Sequence, residues 1–350
     1  DHFIRTTDEY HEKQVQKIKE FVAVIPEERK DAVKPTRKQF TRLLTEVASS
    51  RKVPGISKRM NENENYHCNT FEKNDTRKFL KQVFHIEKKE DLIEFSKYQF
   101  KGSVQYEQFM TFWKDAPLFN VNELNPDARE FFEKCKSIAE VSYPLLQERG
   151  FYANDIGDFI CVCRICNACE ILTDEEFEEI ADRYVRKALV FYRSFKEFAL
   201  SYLCGVLYSI MYNSTDLEGV EKFMELQIAI MSNLFREGAP WEYYSWYRPE
   251  KPELVQLYPG DPACIVSRKA MEEGIGFMYR DKPNKDRNDS GWRFFHGDES
   301  DEYINNTENV RFESINTICN YRPDVLAYLE APAGCAYGWN GKDWIKELRE

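Results

Sequence analysis

The run Ser290-Gly291-Trp292-Arg293-Phe294-Phe295-His296-Gly297-Asp298-Glu299 decides how the C-terminal part of this chain folds. It sets three large aromatics close together and then turns acidic, through Asp301 and Glu302 to Tyr303. Side chains of a strand alternate between faces, so Trp292, Phe294 and His296 are expected on one face and Arg293 and Phe295 on the other. A glycine closes each end, and the acidic residues after Gly297 are expected in an exposed loop.

Working outward, Ala263 to Ser267 and Ile275 to Tyr279 are short apolar runs that predict two buried strands. Lys282 to Asn288 is polar and contains Pro283, the signature of a loop. Pro323 to Leu329 predicts a short helix with proline in its first turn, and Gly334 to Trp339 a last strand. Together these make a compact α+β unit with no evident cofactor pocket.

Upstream of about residue 250 the spacing is helical nearly throughout. Asp8 to Ile25 places Ile18, Phe21, Val22 and Ile25 on one face, and Pro26 stops it. Thr36 to Ser49 predicts a second helix. Lys52 to Asn74 is polar and Asn-rich and is read as a long surface loop. Asp75 is the expected N-cap of a helix from Thr76 to His85, and shorter helices are expected over Glu90–Tyr98 and Ser103–Lys114. Thr173 with Glu176 and Ser194 with Glu197 have the spacing of capping boxes, opening helices Asp174–Phe191 and Phe195–Tyr212. Glu218 to Phe235 is a further helix ending near Gly238-Ala239-Pro240. Trp241, Tyr243, Tyr244, Trp246 and Tyr247 then crowd one end, read as a packing seam with the polar tips at the surface. Pro249, Pro252, Pro259, Gly260 and Pro262 predict a stiff linker over 251–262.

The chain has 350 residues, long enough for two domains, with 42% hydrophobic and 15% aromatic residues, which favours ordered packing over disorder. No apolar run reaches the roughly 18 residues needed to cross a bilayer. No signal peptide is legible in the opening Asp1-His2-Phe3-Ile4-Arg5. The net charge of −11 is uneven. Residues 1–115 carry 23 Lys+Arg against 19 Asp+Glu, residues 116–257 carry 14 against 24, and residues 258–350 carry 12 against 17. An acidic surface repels nucleic acid and attracts basic partners, though it also simply confers solubility.

Cys161, Cys163, Cys166 and Cys169 have the spacing of a metal or iron–sulfur box. They lie in a helix expected to start near Asn154. At about 100° per residue Cys161 points away from Cys163, so four thiolates cannot meet on one ion. Cys163, Cys166 and Cys169 do form a stripe, but cysteine is also a small core residue, and core is the preferred reading. No metal and no cofactor is therefore expected. Ten cysteines without a secreted-scaffold pattern point to a reducing, cytoplasmic location. His296 has no Ser or Cys nucleophile set beside it by a motif.

Two resemblances sharpen this. Ala263–Ser267, Gly276–Arg280, Asp289–Phe295, Gly297-Asp298-Glu299, Asn316–Tyr321 and Tyr328-Leu329 with Pro332 resemble, in order, a small bacterial domain family. It is catalogued as domain of unknown function 2185 and grouped as immunity protein family 33. Asn154–Asp158, Leu172–Glu176, Tyr192–Ala199, Ser201–Gly205, Ala239-Pro240-Trp241 and Trp246 resemble the domain of unknown function 1266 family. That family often has Arg where this chain has Asp158, and an Arg-Trp/Tyr-Gly run where it has Arg164-Ile165-Cys166.

The expectation is an α+β two-domain chain. A large all-α helical domain (1–250, family-like core about 75–247) is followed, after the linker, by a small α+β domain (263–350). The first resemblance implies a non-catalytic immunity protein that binds and blocks a cognate toxin; the acidic charge and the lack of a long apolar run lead us to expect no nucleic acid or membrane as partner. The residues expected at the contact are Trp292, Arg293, Asp298, Glu299, Asp301 and Glu302, following the usual anatomy of an aromatic or Arg anchor ringed by charge. The alternatives are a regulatory or scaffold protein, and an enzyme using a cleft between the domains.

Overall fold

The computed structural model describes residues 2–63, 65–96, 121–146, 149–213, 216–249, 254–284 and 288–347. The helix expected over Ser103–Lys114 lies outside them. The chain divides into two compact units, Asp1–Glu250 and Lys251–Glu350, the first helical and the second built on a mixed sheet.

The first unit is organised around the helix Tyr152–Ala168. From Phe159 to Ala168 every side chain is buried, the pattern of a helix enclosed on all sides rather than amphipathic. Around it pack the helices Arg37–Lys52, Thr70–Phe84, Asp174–Phe191 and Phe195–Asn213. The approach is close: a Cβ on Gly205 would stand 2.5 Å from the Cβ of Asn154, so this crossing admits only glycine. A further layer comes from the helices His2–Val24, Pro126–Leu146 and Leu217–Leu234.

Local rules place most of these helices. Thr36 caps Arg37–Lys52 in a capping box with Gln39, and Thr173 does the same for Asp174–Phe191 with Glu176. At Ser194 the hydroxyl accepts from Glu197 N as expected, but the Glu197 carboxylate turns to Arg193 N. Two readings are corrected. The run Lys52–Asn74 is not one loop, because it contains the helix Pro54–Glu62, which buries Ile56 and Met60. The next helix begins at Thr70, not Thr76: Asn69 is its N-cap and completes a capping box with Glu72.

The aromatic seam closes the bundle's end. Phe40, Phe195, Phe198, Trp241 and Trp246 form one cluster, with Phe195 stacked on Trp241 at 5.0 Å and Phe40 edge-on to Trp246 at 4.8 Å. The Trp241 indole is not at the surface as expected; its N–H donates to Leu43 O at 2.9 Å in the interior.

The second unit is a six-stranded sheet in the order β4-β1-β3-β2-β5-β6. The strands are β1 Ala263–Ser267, β2 Phe277–Arg280, β3 Asp289–Phe295, β4 Val310–Ser314, β5 Ala336–Trp339 and β6 Trp344–Glu347. Only β1 and β3 run parallel. The opening run of sequence is thus an inner strand, covered on both faces. Trp292 stacks on Phe294 on one side, and Phe295 stacks on Tyr279 on the other. The two edge strands β4 and β6 were not anticipated. The segment Pro323–Tyr328 is helical as expected, in 3-10 form.

The strap expected as a linker is tied to this unit from Val255 onward. Asn316 Oδ1 accepts from Leu257 N and Tyr258 N, its amide donates to Tyr258 O, and Asn320 bonds Val255 through both N–H and C=O.

Candidate partner-binding surface

The expected contact residues gather around the C-terminal end of β3 and the loop that follows. Trp292 does not belong to a surface. It is 1% exposed, its indole N–H donates to Leu329 O at 3.1 Å, and the Arg280 guanidinium lies over its ring. This corrects its place in the contact set: the residue with the largest apolar area in the strand is committed to the core.

Arg293, on the other face, is mostly covered. Its guanidinium meets both Asp289 oxygens at 2.9 Å, a bidentate pair four residues back on the strand, and approaches Asp281 at 3.6 Å. That pair holds the Asp289 carboxyl down to about 2 and raises Arg293 further. Gly291 makes room here, since at φ +81° a Cβ would lie 2.3 Å from Asp281 O.

The acidic run divides in two. Glu299 faces inward and organises its own loop, accepting from Ser267 Oγ, from His296 N at 2.8 Å and from Gly297 N at 2.7 Å. Burial alone would raise this carboxyl, but the three donors outweigh it and the net shift is downward. Gly276 packs beneath the same loop, where a Cβ would fall 2.2 Å from His296 O. Asp298 faces solvent and is held by Lys269 Nζ at 2.7 Å and His296 Nδ1 at 2.7 Å. Lys269, then His296, bring its carboxyl down to about 2. Asp301 and Glu302 occupy the exposed first turn of the short helix Asp301–Asn305, capped by Ser300. Carboxylates there complement the positive end of the helix and point to solvent.

The geometry brings Ser267, His296 and Asp298 into one neighbourhood without making a hydrolytic site of them. Ser267 is fully buried, and its hydroxyl donates to Glu299 while accepting from Ala270 N as a helix cap. Lys269, Ser267 and Asp289 were missed from sequence. Lys269 lies 29 residues from Asp298, so only the folded sheet brings them together.

In the helical unit, Cys161, Cys163, Cys166 and Cys169 are all fully buried, and all ten cysteines are free. Burial pushes the thiols of Cys163 and Cys166 far up and that of Cys169 to about 11. Among the described residues no group of His, Cys, Asp and Glu is arranged to hold a metal ion, and no helix is long and apolar enough to cross a membrane. Where the sequence departs from the resembled family, the substitutes are used structurally. Asp158 bonds Tyr202 Oη at 2.9 Å and pairs with Lys52 at 3.0 Å. Arg164, 4% exposed, donates to Asn167 Oδ1 and Tyr66 O, and Asn167 in turn donates to Asp174.

No curated protein and no solved structure matches this chain. Two family descriptions do. The immunity protein Imm33 domain matches residues 264–349, all of the sheet but its first residue. The larger match covers residues 7–246, from the first helix to the aromatic seam, and by it the chain belongs to the family described as protein of unknown function DUF1266.

Proposed function

We propose that this protein is an immunity protein that neutralises a cognate toxin by direct, non-catalytic binding, with the sheet unit making the contact. The observation that carries the proposal is the Imm33 match over residues 264–349. The exposed face that fits the role is acidic: Asp298, Asp301 and Glu302, rimmed by Lys269 and His296 and floored by the Glu299 loop. Asp298 is held by Lys269 and His296, while Asp301 and Glu302 stand exposed on the first turn of their helix and offer the charge that favours rapid capture of a basic partner. Arg293 acts from behind, fixing the strand that carries the loop. Occlusion rather than chemistry fits the nucleophiles present, since the cysteines are buried and Ser267 is committed to Glu299. Ten free thiols fit a reducing compartment, and we assign the protein there.

The test is co-expression with a candidate toxin from a neighbouring gene. Growth rescue and a co-purifying complex support the reading, and an Asp301→Lys/Glu302→Lys double variant should associate roughly ten-fold more slowly at low salt. Failure of both rescue and complex formation removes the toxin from the proposal.

A further inference from the structure

Among the described residues β4 has a strand partner on one side only, β1, and its other side is an edge of the sheet. In the β1–β4 ladder Arg268 N donates to Asn309 O and Ile315 N donates to Pro262 O. With the register Cys264↔Glu313 and Val266↔Arg311, the odd-numbered residues of β4 therefore turn their N–H and C=O groups toward β1. Val310, Phe312 and Ser314 turn theirs outward, along the open edge of the sheet. Phe312 stands at the middle of that edge and is 60% exposed. An exposed edge with an apolar centre is a template for another strand.

The flanking charges state which strand. Arg311 and Glu313 lie on one face and pair with each other, Nε to Oε1 at 3.0 Å. Like charges on an edge keep copies apart, whereas Arg and Glu two residues apart do the reverse. An antiparallel copy centred on Phe312 sets Arg311 opposite Glu313 and Glu313 opposite Arg311, on the same face. Phe312 then meets its own equivalent in a hydrogen-bonded position, and Val310 meets Ser314. The backbone groups that face outward are the ones this register uses, and every cross-strand charge is matched. We propose that two copies of the chain associate through β4, antiparallel about Phe312, into a continuous sheet. A five-residue strand is small for a permanent interface, so the association is reversible and concentration-dependent. The proposal rests on strand geometry and does not depend on the immunity reading.

Sedimentation equilibrium of the full chain tests it, with the apparent mass expected to climb from 41.5 kDa toward twice that value as concentration rises. Arg311→Glu and Glu313→Arg should each remain at the single-chain mass, because each variant edge meets like charge across the two-fold axis. An equimolar mixture of the two variants should associate again, since one edge is then wholly acidic on that face and the other wholly basic. Circular dichroism confirms that each variant is folded, and should either fail to fold, Phe312→Lys places like charges at the axis instead. A wild-type chain that stays at 41.5 kDa throughout overturns the proposal. So do single reversals that associate like wild type, which would locate the contact elsewhere, and a mixture that does not recover.

Discussion

Two carboxylates show how the same side-chain chemistry takes opposite signs of stability. Asp289 is held down to about 2 by Arg293. A depressed carboxyl stabilises the fold above its ordinary range near 4, and the contribution is lost as pH falls through about 2. Acid unfolding of wild type should therefore steepen between those values. Asp289→Asn should flatten that limb and cost about 2 kcal/mol at neutral pH, because it leaves the mostly buried Arg293 charge with only Asp281, at 3.6 Å, in place of the bidentate pair. Glu46 is the converse. It is buried in the helix Arg37–Lys52, with Arg42 Nε 4.0 Å away, and burial lifts its carboxyl to about 7 despite that arginine. A raised carboxyl costs nothing where both states are protonated; the penalty accrues as pH rises from its ordinary value near 4.5 and is complete above about 7. Glu46→Gln should stabilise the protein by roughly 2 kcal/mol at pH 8 and by little at pH 4, read from denaturant melts at the two values. Equal effects at both would show that Glu46 is solvated.

At the scale of elements, the cysteine helix is core and should behave as core. Ellman's reagent should find almost no thiol in the native protein and all ten after unfolding. Cys166→Ser should cost about 2 kcal/mol in chemical denaturation, since it places a hydroxyl in an apolar interior. Overnight EDTA should leave the melting temperature unchanged; a drop would mean that a metal holds the stripe. How legible each element was in the sequence follows from the same physics. Thr173–Glu176 fixed its helix start because a capping box is local, and Asn69–Glu72 carried an equally local signal that the surrounding Asn-rich polarity concealed. The inner strands β1 and β3 were readable because burial on both faces makes them apolar. The edge strands β4 and β6 were not, because exposed Phe312 and Ile345 alternate with charges as a loop might. Of the contact set, the charged loop was placed near the surface, but Trp292 and Glu299 turned inward. Their partners Leu329 and Ser267 lie 37 and 32 residues away and leave no local trace.

For the molecule as a whole, the question is where one unit stops and the other starts. Prolines at 249, 252, 259 and 262 suggest a spacer, yet from Val255 the strap is bonded to the sheet unit. Its removal would strip those bonds from Asn316 and Asn320, and Ile315 N would lose Pro262 O. Asn316 is 7% exposed with the strap in place, and the strap supplies three of its side-chain hydrogen bonds through Leu257 and Tyr258. A buried polar group left without its partner costs about 1–3 kcal/mol. A fragment of residues 251–350 should therefore fold with a single cooperative transition. A fragment of residues 263–350, although it keeps every strand, should be weaker by at least about 2 kcal/mol or fail to fold. Parallel urea melts of the two fragments decide the point. Matching midpoints would make the strap a passive tether. The expected difference would make it part of the sheet unit's core, and would place the functional boundary upstream of Val255, in the short stretch after the aromatic seam.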